Sequence, residues 1–220
     1  MSAAGSASEP PRDCPLCPRL VEFRQYWRER QPHWHNAPVP TFGDDRARLL
    51  IVGLAPGLKG ANRTGRPFTG DFAGDLLYGT LKKFGFARGV YRADPADGLR
   101  LVNAAIVNAV RCVPPQNKPT PAEIATCRRF LERAIAAHCR ARAIVALGRI
   151  AHETTLRALG LKPGAFPFAH GAVHDCGRFR LYDSYQCSRQ NTNTGRLTTE
   201  MFETVFVRAK QDLDSEDPRP

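Results

Sequence analysis

Four short runs of apolar residues alternate with longer amphipathic stretches along this chain of 220 residues. The runs cover residues 47–55, 104–110, 143–148 and 179–185. A strand that is apolar on both faces has to be covered on both faces, and this is typical of parallel sheets flanked by helices. The alternation therefore predicts an α/β fold with a mainly parallel sheet covered by helices on both sides.

The amphipathic stretches predict four helices, over residues 72–84, 121–139, 149–159 and 198–211. The second has a distinct start. Thr120 can cap the helix, Pro121 fits its first turn, and Glu123 stands at the position of a capping box. This start signal predicts that the helix begins at residue 121.

The length fits a single domain, which we expect to span residues 13–211. Residues 1–12 are small, polar and proline-containing, so they predict a disordered tail, and residues 212–220 predict a flexible one. The beginning of the chain has no apolar core of a signal peptide, and no apolar stretch approaches the ~18 residues of a membrane span. We therefore expect a cytoplasmic protein.

The chain carries a net charge of +11, which indicates an anionic partner. Nucleic acid is the commonest such partner, although a basic surface can also serve solubility alone. The seven cysteines are an odd number in a chain expected in a reducing compartment. A disulfide framework is therefore not expected, which leaves buried thiols, metal ligands and nucleophiles as alternatives.

In an open α/β sheet, ligands bind at the carboxyl ends of the strands, so the residues after each apolar run are the candidates for a site. The first such loop, residues 53–71, is rich in glycine. It lacks the lysine and hydroxyl of a phosphate-binding P-loop and contains no GxGxxG pattern. The loop can let its backbone approach a ligand closely, or it can be an ordinary flexible surface loop.

Cys14 and Cys17 form a CxxC pair at the spacing of metal ligands. Cys112, after the second apolar run, and Cys127, on the following predicted helix, could complete a set of four thiolates. Such a set can hold zinc or a [4Fe–4S] cluster, and the alternative is that the latter two are ordinary buried cysteines. The histidines form no HExxH pattern and no serine lies in GxSxG, so a zinc hydrolase and an esterase are not indicated.

Five segments, taken in order, resemble one family: GLAPG, GANRTGRPFTGD, NAVRCVPPQNKPTPAE, FAHGAVH and SYQCSRQNTNTGRLT. This is the uracil-DNA glycosylase superfamily, family 5, the iron–sulfur type B enzymes. The resemblance runs from Cys14 to Leu197. It implies a three-layer α/β/α sandwich and a [4Fe–4S] cluster held by Cys14, Cys17, Cys112 and Cys127. Cys187 is then left over, and Cys139 and Cys176 are interpreted as structural.

The resemblance also implies the activity. Such an enzyme flips a nucleotide out of DNA and hydrolyses the N-glycosidic bond of uracil and of other deaminated bases such as hypoxanthine and xanthine. Phe68 would stack on the base, and Asn108 would recognise its edge. The backbone of the pocket wall would bind the base as well; this wall comprises Gly53, Leu54, Ala55 and Pro56.

Asp71 is the carboxylate that the family shares near the scissile bond. We expect it to activate water or to stabilise the sugar cation, with simple capping of the next helix as the alternative. The last motif of the family usually reads SYHxS, whereas this chain has Gln186 at the histidine position. A glutamine amide can donate a hydrogen bond but cannot carry a charge. It predicts a working but altered glycosylase, and His170 could compensate.

Two other interpretations stay open at this stage: a non-catalytic or weakly catalytic protein that binds damaged DNA, and a zinc-stabilised nucleic-acid-binding domain. For the glycosylase, we expect basic and polar side chains to contact the DNA. Lys59, Arg63 and Arg66 are candidates for phosphate, and Arg189, Asn191 and Arg196 for the minor groove. We further expect a monomer that is associated with the nucleoid.

Overall fold

The computed structural model describes residues 8–215. Its α-helices are α1 Pro18–Arg30, α2 Ala61–Thr64, α3 Phe72–Lys83, α4 Pro121–Ala137, α5 Arg149–Ala158, α6 Arg189–Asn193 and α7 Thr199–Ser215. Its strands are β1 Phe42–Gly43, β2 Leu49–Gly53, β3 Ala87–Arg88, β4 Arg100–Leu101, β5 Ala104–Asn108, β6 Ala143–Leu147, β7 Val173–Cys176 and β8 Phe179–Ser184. Short 3₁₀ turns cover Pro115–Asn117 and Pro163–Ala165. Over this part of the chain, no helix combines the length and the apolar character needed to cross a membrane.

Six strands form the main sheet in the order β1-β5-β2-β6-β8-β7. The four inner strands are parallel to one another, and the two edge strands are antiparallel to their neighbours. The inner strands correspond to the four apolar runs, so the predicted mainly parallel sheet is confirmed. A separate two-stranded ladder joins β3 and β4.

Helices cover both faces of the sheet, which confirms the three-layer α/β/α sandwich. Alternate residues of β2 face opposite layers. Ile51 belongs to the core that contains Leu77 of α3 and Phe206 of α7. Val52 belongs to the core that contains Leu131 of α4 and helix α5. Both residues are fully buried, which explains why the strand is apolar on both faces.

The four predicted helices are present, with ends that differ by a few residues. The capping box at the start of α4 is confirmed: the Thr120 hydroxyl accepts from the Glu123 amide at 3.2 Å, and the Glu123 carboxylate accepts from the Thr120 amide at 2.7 Å. Helix α1 was not predicted. Its sequence carries charges on most of its surface and buries only Leu20 and Arg24, so it shows little apolar periodicity.

The structure describes part of each predicted tail, residues 8–12 and 212–215. Residues 1–7 and 216–220 lie outside the described residues. Within the predicted N-terminal tail, the carboxylate of Glu9 pairs with the buried guanidinium of Arg111 at 2.8 Å. At the other end, α7 continues through Asp212, whose carboxylate accepts from the hydroxyl of Tyr182. These buried and partly buried contacts order segments that composition alone marked as loose.

The loop over residues 53–71 is anchored by a buried ion pair. The two terminal nitrogens of Arg66 each lie 2.8 Å from a carboxylate oxygen of Asp97, and both side chains are almost inaccessible to solvent. Arg66 also donates to the hydroxyl of Thr69 at 2.7 Å. The predicted phosphate contact of Arg66 is therefore wrong, because its guanidinium is buried and already paired.

Replacement of Asp97 by asparagine leaves the Arg66 guanidinium buried without a counter-charge. We expect Asp97→Asn to lower the free energy of unfolding by about 3 to 5 kcal/mol, measured by urea denaturation at neutral pH. The guanidinium holds the pKa of the Asp97 carboxyl well below its usual range. The stabilisation is therefore present above the ordinary aspartate pKa and is lost as the pH falls towards the lowered value.

Asp214→Asn is the matched control, since Asp214 pairs with Lys210 at 3.0 Å on the exposed face of α7. Exposed pairs of this kind contribute about 0 to 1 kcal/mol. Equal destabilisation by the two substitutions would contradict the anchoring role of the Arg66–Asp97 pair.

Candidate active site

One cavity of about 630 Å³ opens at the carboxyl ends of the inner strands. Its position agrees with the location of ligand sites in open α/β sheets. It is lined by most of the residues that the sequence predicted for substrate and chemistry: Leu54, Ala55, Pro56, Lys59, Phe68, Asp71, Asn108, Gln186 and Arg189. The structure therefore brings together loops that are far apart in the sequence.

The floor of the cavity is formed where β2 meets β5. Gly53 lies directly opposite Asn108 in the parallel ladder. A Cβ atom on Gly53 would come within 2.5 Å of Asn108 Oδ1 and 2.8 Å of the Phe68 ring, so glycine is required for this close approach. Phe68 is buried and adopts a left-handed backbone conformation with a φ of 52°, which is uncommon for a bulky residue.

The Asn108 side chain is buried, and its Oδ1 has no hydrogen-bond partner within residues 8–215. A buried polar atom without a partner costs stability unless something else satisfies it. Because this atom lines the cavity, a ligand with a hydrogen-bond donor can satisfy it. An asparagine amide also offers a donor, so it can recognise a group that carries both functions.

Asp71 stands at the first boundary of α3, and its side chain forms no capping hydrogen bond there. Its Oδ1 is buried and unpartnered within the described part of the chain. Its carboxylate packs so closely on Gly60 that a Cβ atom there would collide with it. Burial raises the pKa of the Asp71 carboxyl. The amides of Ala73 and Gly74, at the start of α3, partly offset this rise, so the capping alternative stays open for a largely desolvated carboxylate that lines the cavity.

The wall at residues 53–56 continues the parallel pairing beyond the end of β2. The carbonyls of Gly53 and Leu54 accept hydrogen bonds from the amides of Ala109 and Val110 at 2.8 and 2.9 Å. Pro56 is buried. This pairing fixes the path of the backbone as it leaves the sheet, which a freely flexible surface loop would not show.

Gln186 lies on the opposite wall, just after β8. Its backbone carbonyl accepts from Asn191 Nδ2 at 2.8 Å. Ser188 caps the short helix α6 by accepting from the Asn191 amide at 3.4 Å. The side-chain nitrogen of Asn191 thus holds the backbone of Gln186. Asn191 therefore has a positioning role in addition to its predicted contact with DNA.

Four of the predicted DNA-contacting cations are exposed: Lys59 and Arg189 line this cavity, whereas Arg63 and Arg196 line two other cavities. Arg63 donates to the Lys59 carbonyl at 2.9 Å. The Arg189 guanidinium lies 5.3 Å from the centre of the Phe72 ring, and that of Arg196 lies 4.6 Å from the Tyr185 ring centre. Their contact with DNA remains a prediction.

A buried histidine network behind the Gln186 loop was missed by the sequence analysis. Asp183 is fully buried in β8; His152 Nδ1 lies 2.6 Å from one of its oxygens, and His174 Nε2 lies 3.0 Å from the other. His170 accepts instead from the Tyr185 amide at 3.1 Å and does not line the cavity. The available signal was an aspartate at an inner position of a predicted strand.

The four predicted metal ligands surround one small cavity beside α1 and α4. Cys14, Cys17, Cys112 and Cys127 all line it. Cys14 and Cys127 are buried, and the other two are partly buried. Ala55, from the wall of the substrate cavity, packs against the same group. Ala55 therefore links the wall of the substrate cavity to the cysteine group.

The surroundings of these thiols suit a group that binds thiolates. The Arg111 amide lies 3.3 Å from Cys127 Sγ, and the buried Arg24 guanidinium lies 3.7 Å from Cys112 Sγ. Arg24 Nε is buried without a partner within residues 8–215. Burial raises the pKa of Cys112 to about 12 and that of Cys127 to about 11. A bound cation would favour the thiolate forms of both residues.

The three remaining cysteines lie apart from this group. Cys187 is completely buried, and Cys176 packs at the edge of the α4–α5 core. Cys139 is exposed. The interpretation of Cys139 as a structural residue is therefore wrong, because it lies beyond the end of α4 where the chain reaches solvent.

Comparison with known proteins identifies the family of this chain. Residues 40–211 match the model of the uracil DNA glycosylase superfamily. A type-5 uracil-DNA glycosylase of Thermus thermophilus is 49% identical over 205 residues, covering 90% of this chain and 93% of that protein. One from Pyrobaculum aerophilum is 40% identical over 205 residues, covering 91% and 89%. A type-4 uracil-DNA glycosylase of Archaeoglobus fulgidus is 32% identical over 142 residues, covering 64% and 63%. These matches confirm the resemblance seen in the motifs, and the chain belongs to the type-5 uracil-DNA glycosylases of the uracil DNA glycosylase superfamily.

Proposed function

We propose that this protein removes uracil from DNA by hydrolysing the N-glycosidic bond of a flipped nucleotide, as a step of base-excision repair. The observation that carries the proposal is the pairing of two unsatisfied groups in one cavity. The desolvated carboxylate of Asp71 and the unpartnered amide oxygen of Asn108 both line it. The edge of a pyrimidine base offers a hydrogen-bond donor to the unpartnered Oδ1 of Asn108. The sugar of the same nucleotide offers the electrophilic carbon near which Asp71 can act.

The residues act at different parts of the substrate. Phe68 stacks on the flipped base, an interaction worth about 1 to 3 kcal/mol. Asn108 donates to and accepts from the base edge. As the bond from C1′ to the base breaks, its electron pair leaves with the base and positive charge develops on the sugar. Asp71 stabilises that charge and accepts a proton from the water whose oxygen bonds to C1′.

The departing base gains negative charge, which a hydrogen-bond donor can stabilise. Gln186 lines the same cavity, and we assign this role to its side-chain amide. Its amide donates without carrying a positive charge, so it supplies less stabilisation than a charged donor. We infer that the chain is catalytic, because Asp71 and Asn108 are both in place and Gln186 keeps a donor. The interpretation as a non-catalytic lesion-binding protein is therefore not favoured.

We infer that the four clustered cysteines hold a [4Fe–4S] cluster. All four thiols line one small cavity, and a set of four thiolates can hold such a cluster. The bound cluster would supply positive charge that keeps the thiols ionised, and it would order the segments around Cys14 and Cys112.

The apolar side chains of the pocket wall suggest that the protein accepts other deaminated bases besides uracil. Leu54, Ala55 and Pro56 present no polar side chain that would reject a purine, so the proposal extends to hypoxanthine and xanthine. Lys59, Arg63, Arg189 and Arg196 would contact the DNA backbone and the minor groove. We further propose that the protein acts as a monomer and that it works in the cytoplasm on nucleoid DNA.

Substitution of Asp71 tests the central role. We expect Asp71→Asn to reduce the single-turnover rate of uracil excision about 10²- to 10⁴-fold, because the amide can neither accept the proton nor offset the cation. In the unmodified protein, the rate should rise with pH through a pKa above the ordinary aspartate range, since the active form is ionised and burial raises its pKa. Asp75→Asn is the control, because this carboxylate is exposed in the same helical turn. A similar loss in both variants would contradict the assignment.

Gln186 gives a second test. Gln186→Ala should lower the single-turnover rate about 10²- to 10³-fold through the loss of one donor to the departing base. Gln186→His restores a donor that can also carry charge, and we expect a rate at least equal to that of the unmodified protein. An unchanged rate in Gln186→Ala would show that the base departs without help from this position.

The cofactor assignment is tested by metal analysis of the full chain. We expect four iron and four sulfide per protein and an iron–sulfur absorption in the visible range. Cys127→Ser should lose the iron and the absorption and lower the midpoint of thermal unfolding. Cys139→Ser is the matched control, since this thiol is exposed. Zinc in place of iron, or retention of iron by Cys127→Ser, would contradict the assignment.

A further inference from the structure

The turn between β5 and α4 contains two consecutive residues in a strained conformation. Gln116 has φ and ψ of 56° and 20°, and Asn117 has a φ of 57°. This left-handed region is uncommon for residues other than glycine, and strained positions cluster at functional sites. Neither residue is glycine, so their side chains are retained at an energetic cost.

The turn is held rigidly from both sides. The amide of Asn117 donates to the Pro114 carbonyl at 3.1 Å, and the amide of Lys118 donates to the Pro115 carbonyl at 3.1 Å. The Lys118 carbonyl accepts from Arg19 at 3.0 Å. The same guanidinium makes two 2.8 Å contacts with the carboxylate of Glu123, inside the capping box of α4. The strain is therefore fixed by the surrounding structure.

These anchors use the backbone and leave the side chains of Gln116 and Asn117 free. Both residues are exposed, and within the described residues no hydrogen bond to either side chain is formed. Two amides that could hydrogen-bond are thus presented to solvent at a defined position. Folding alone does not require them there.

Gln116 and Asn117 line the same cavity as Asp71, Asn108 and Gln186, but at a different depth. Asn108 is 3% exposed and contacts the floor, whereas the two turn residues are exposed at the rim. A base bound on the floor leaves the rim facing the rest of the DNA. The turn and the Gln186 loop both line this cavity, so both stand beside the opening through which a flipped nucleotide would enter.

We propose that Gln116 and Asn117 enter the duplex at the gap left by the flipped nucleotide and hydrogen-bond the base that has lost its partner. This inference rests on the proposed function. An orphaned base exposes both donors and acceptors on its pairing edge, and side-chain amides match such an edge in two directions. The rigid, strained turn holds the amides in place before the DNA binds, which lowers the entropic cost of the contact.

The test compares two double variants on double-stranded and single-stranded DNA that contain the same uracil. Gln116→Gly with Asn117→Gly removes the amides and relieves the strain. Gln116→Ala with Asn117→Ala removes the amides and keeps the strain. For both we expect single-turnover excision from sub-saturating duplex to fall about tenfold or more, because a paired amide contact contributes discrimination of that order. Excision from single strands should stay unchanged, since they have no orphaned base.

Ala93→Gly is the matched control, because Ala93 is also left-handed, with a φ of 55°, and does not line this cavity. Glycine should raise or maintain the thermal midpoint at all three positions, while only the turn variants lose duplex excision. Equal losses on single strands would place the amides on the flipped nucleotide and overturn the proposal, as would no loss on duplex. Failure of the unmodified protein to excise uracil from both substrates would instead count against the proposed function.

Discussion

The parallel pairing of β2 with β5 is the constraint on which the site depends. It places Gly53 beside Asn108, and the missing side chain of Gly53 lets the Phe68 ring and the Asn108 amide share one floor. The same pairing continues into the amides of Ala109 and Val110, so it also directs the chain towards Cys112. A shift in the register of β2 against β5 would separate the base-binding groups, and it would also displace the predicted metal ligand Cys112.

Two buried electrostatic arrangements hold the walls that this pairing leaves open. The Arg66–Asp97 pair anchors the loop that carries Phe68 and Asp71. On the other side, Asp183 is buried between His152 and His174 just before the Gln186 loop. Asp71 differs from these groups because its Oδ1 is buried without a partner in the described part of the chain. The two structural carboxylates are paired on both oxygens, whereas the proposed catalytic carboxylate keeps one oxygen unpaired, as expected for a group that acts on substrate.

Much of the fold could be predicted, because the four inner strands are apolar on both faces and their helices carry clear periodicity or a capping box. Helix α1 could not, since it packs a charged surface around few apolar residues. The positions of Asp71, Asn108 and Gln186 followed from strand-end loops and a family resemblance. The burial of Arg66 could not be predicted, because its partner Asp97 lies 31 residues away in a loop without a pattern. The same holds for the His152–Asp183 pair, which depends on tertiary contact.

The central claim is that one cavity binds a flipped uracil and releases it by hydrolysis. The most direct measurement is the mass-spectrometric detection of free base after the purified, cluster-containing protein is mixed in excess with uracil-containing DNA. The account predicts one free uracil and one abasic site for each lesion. Tight and lesion-specific binding of that DNA without any released uracil would contradict it.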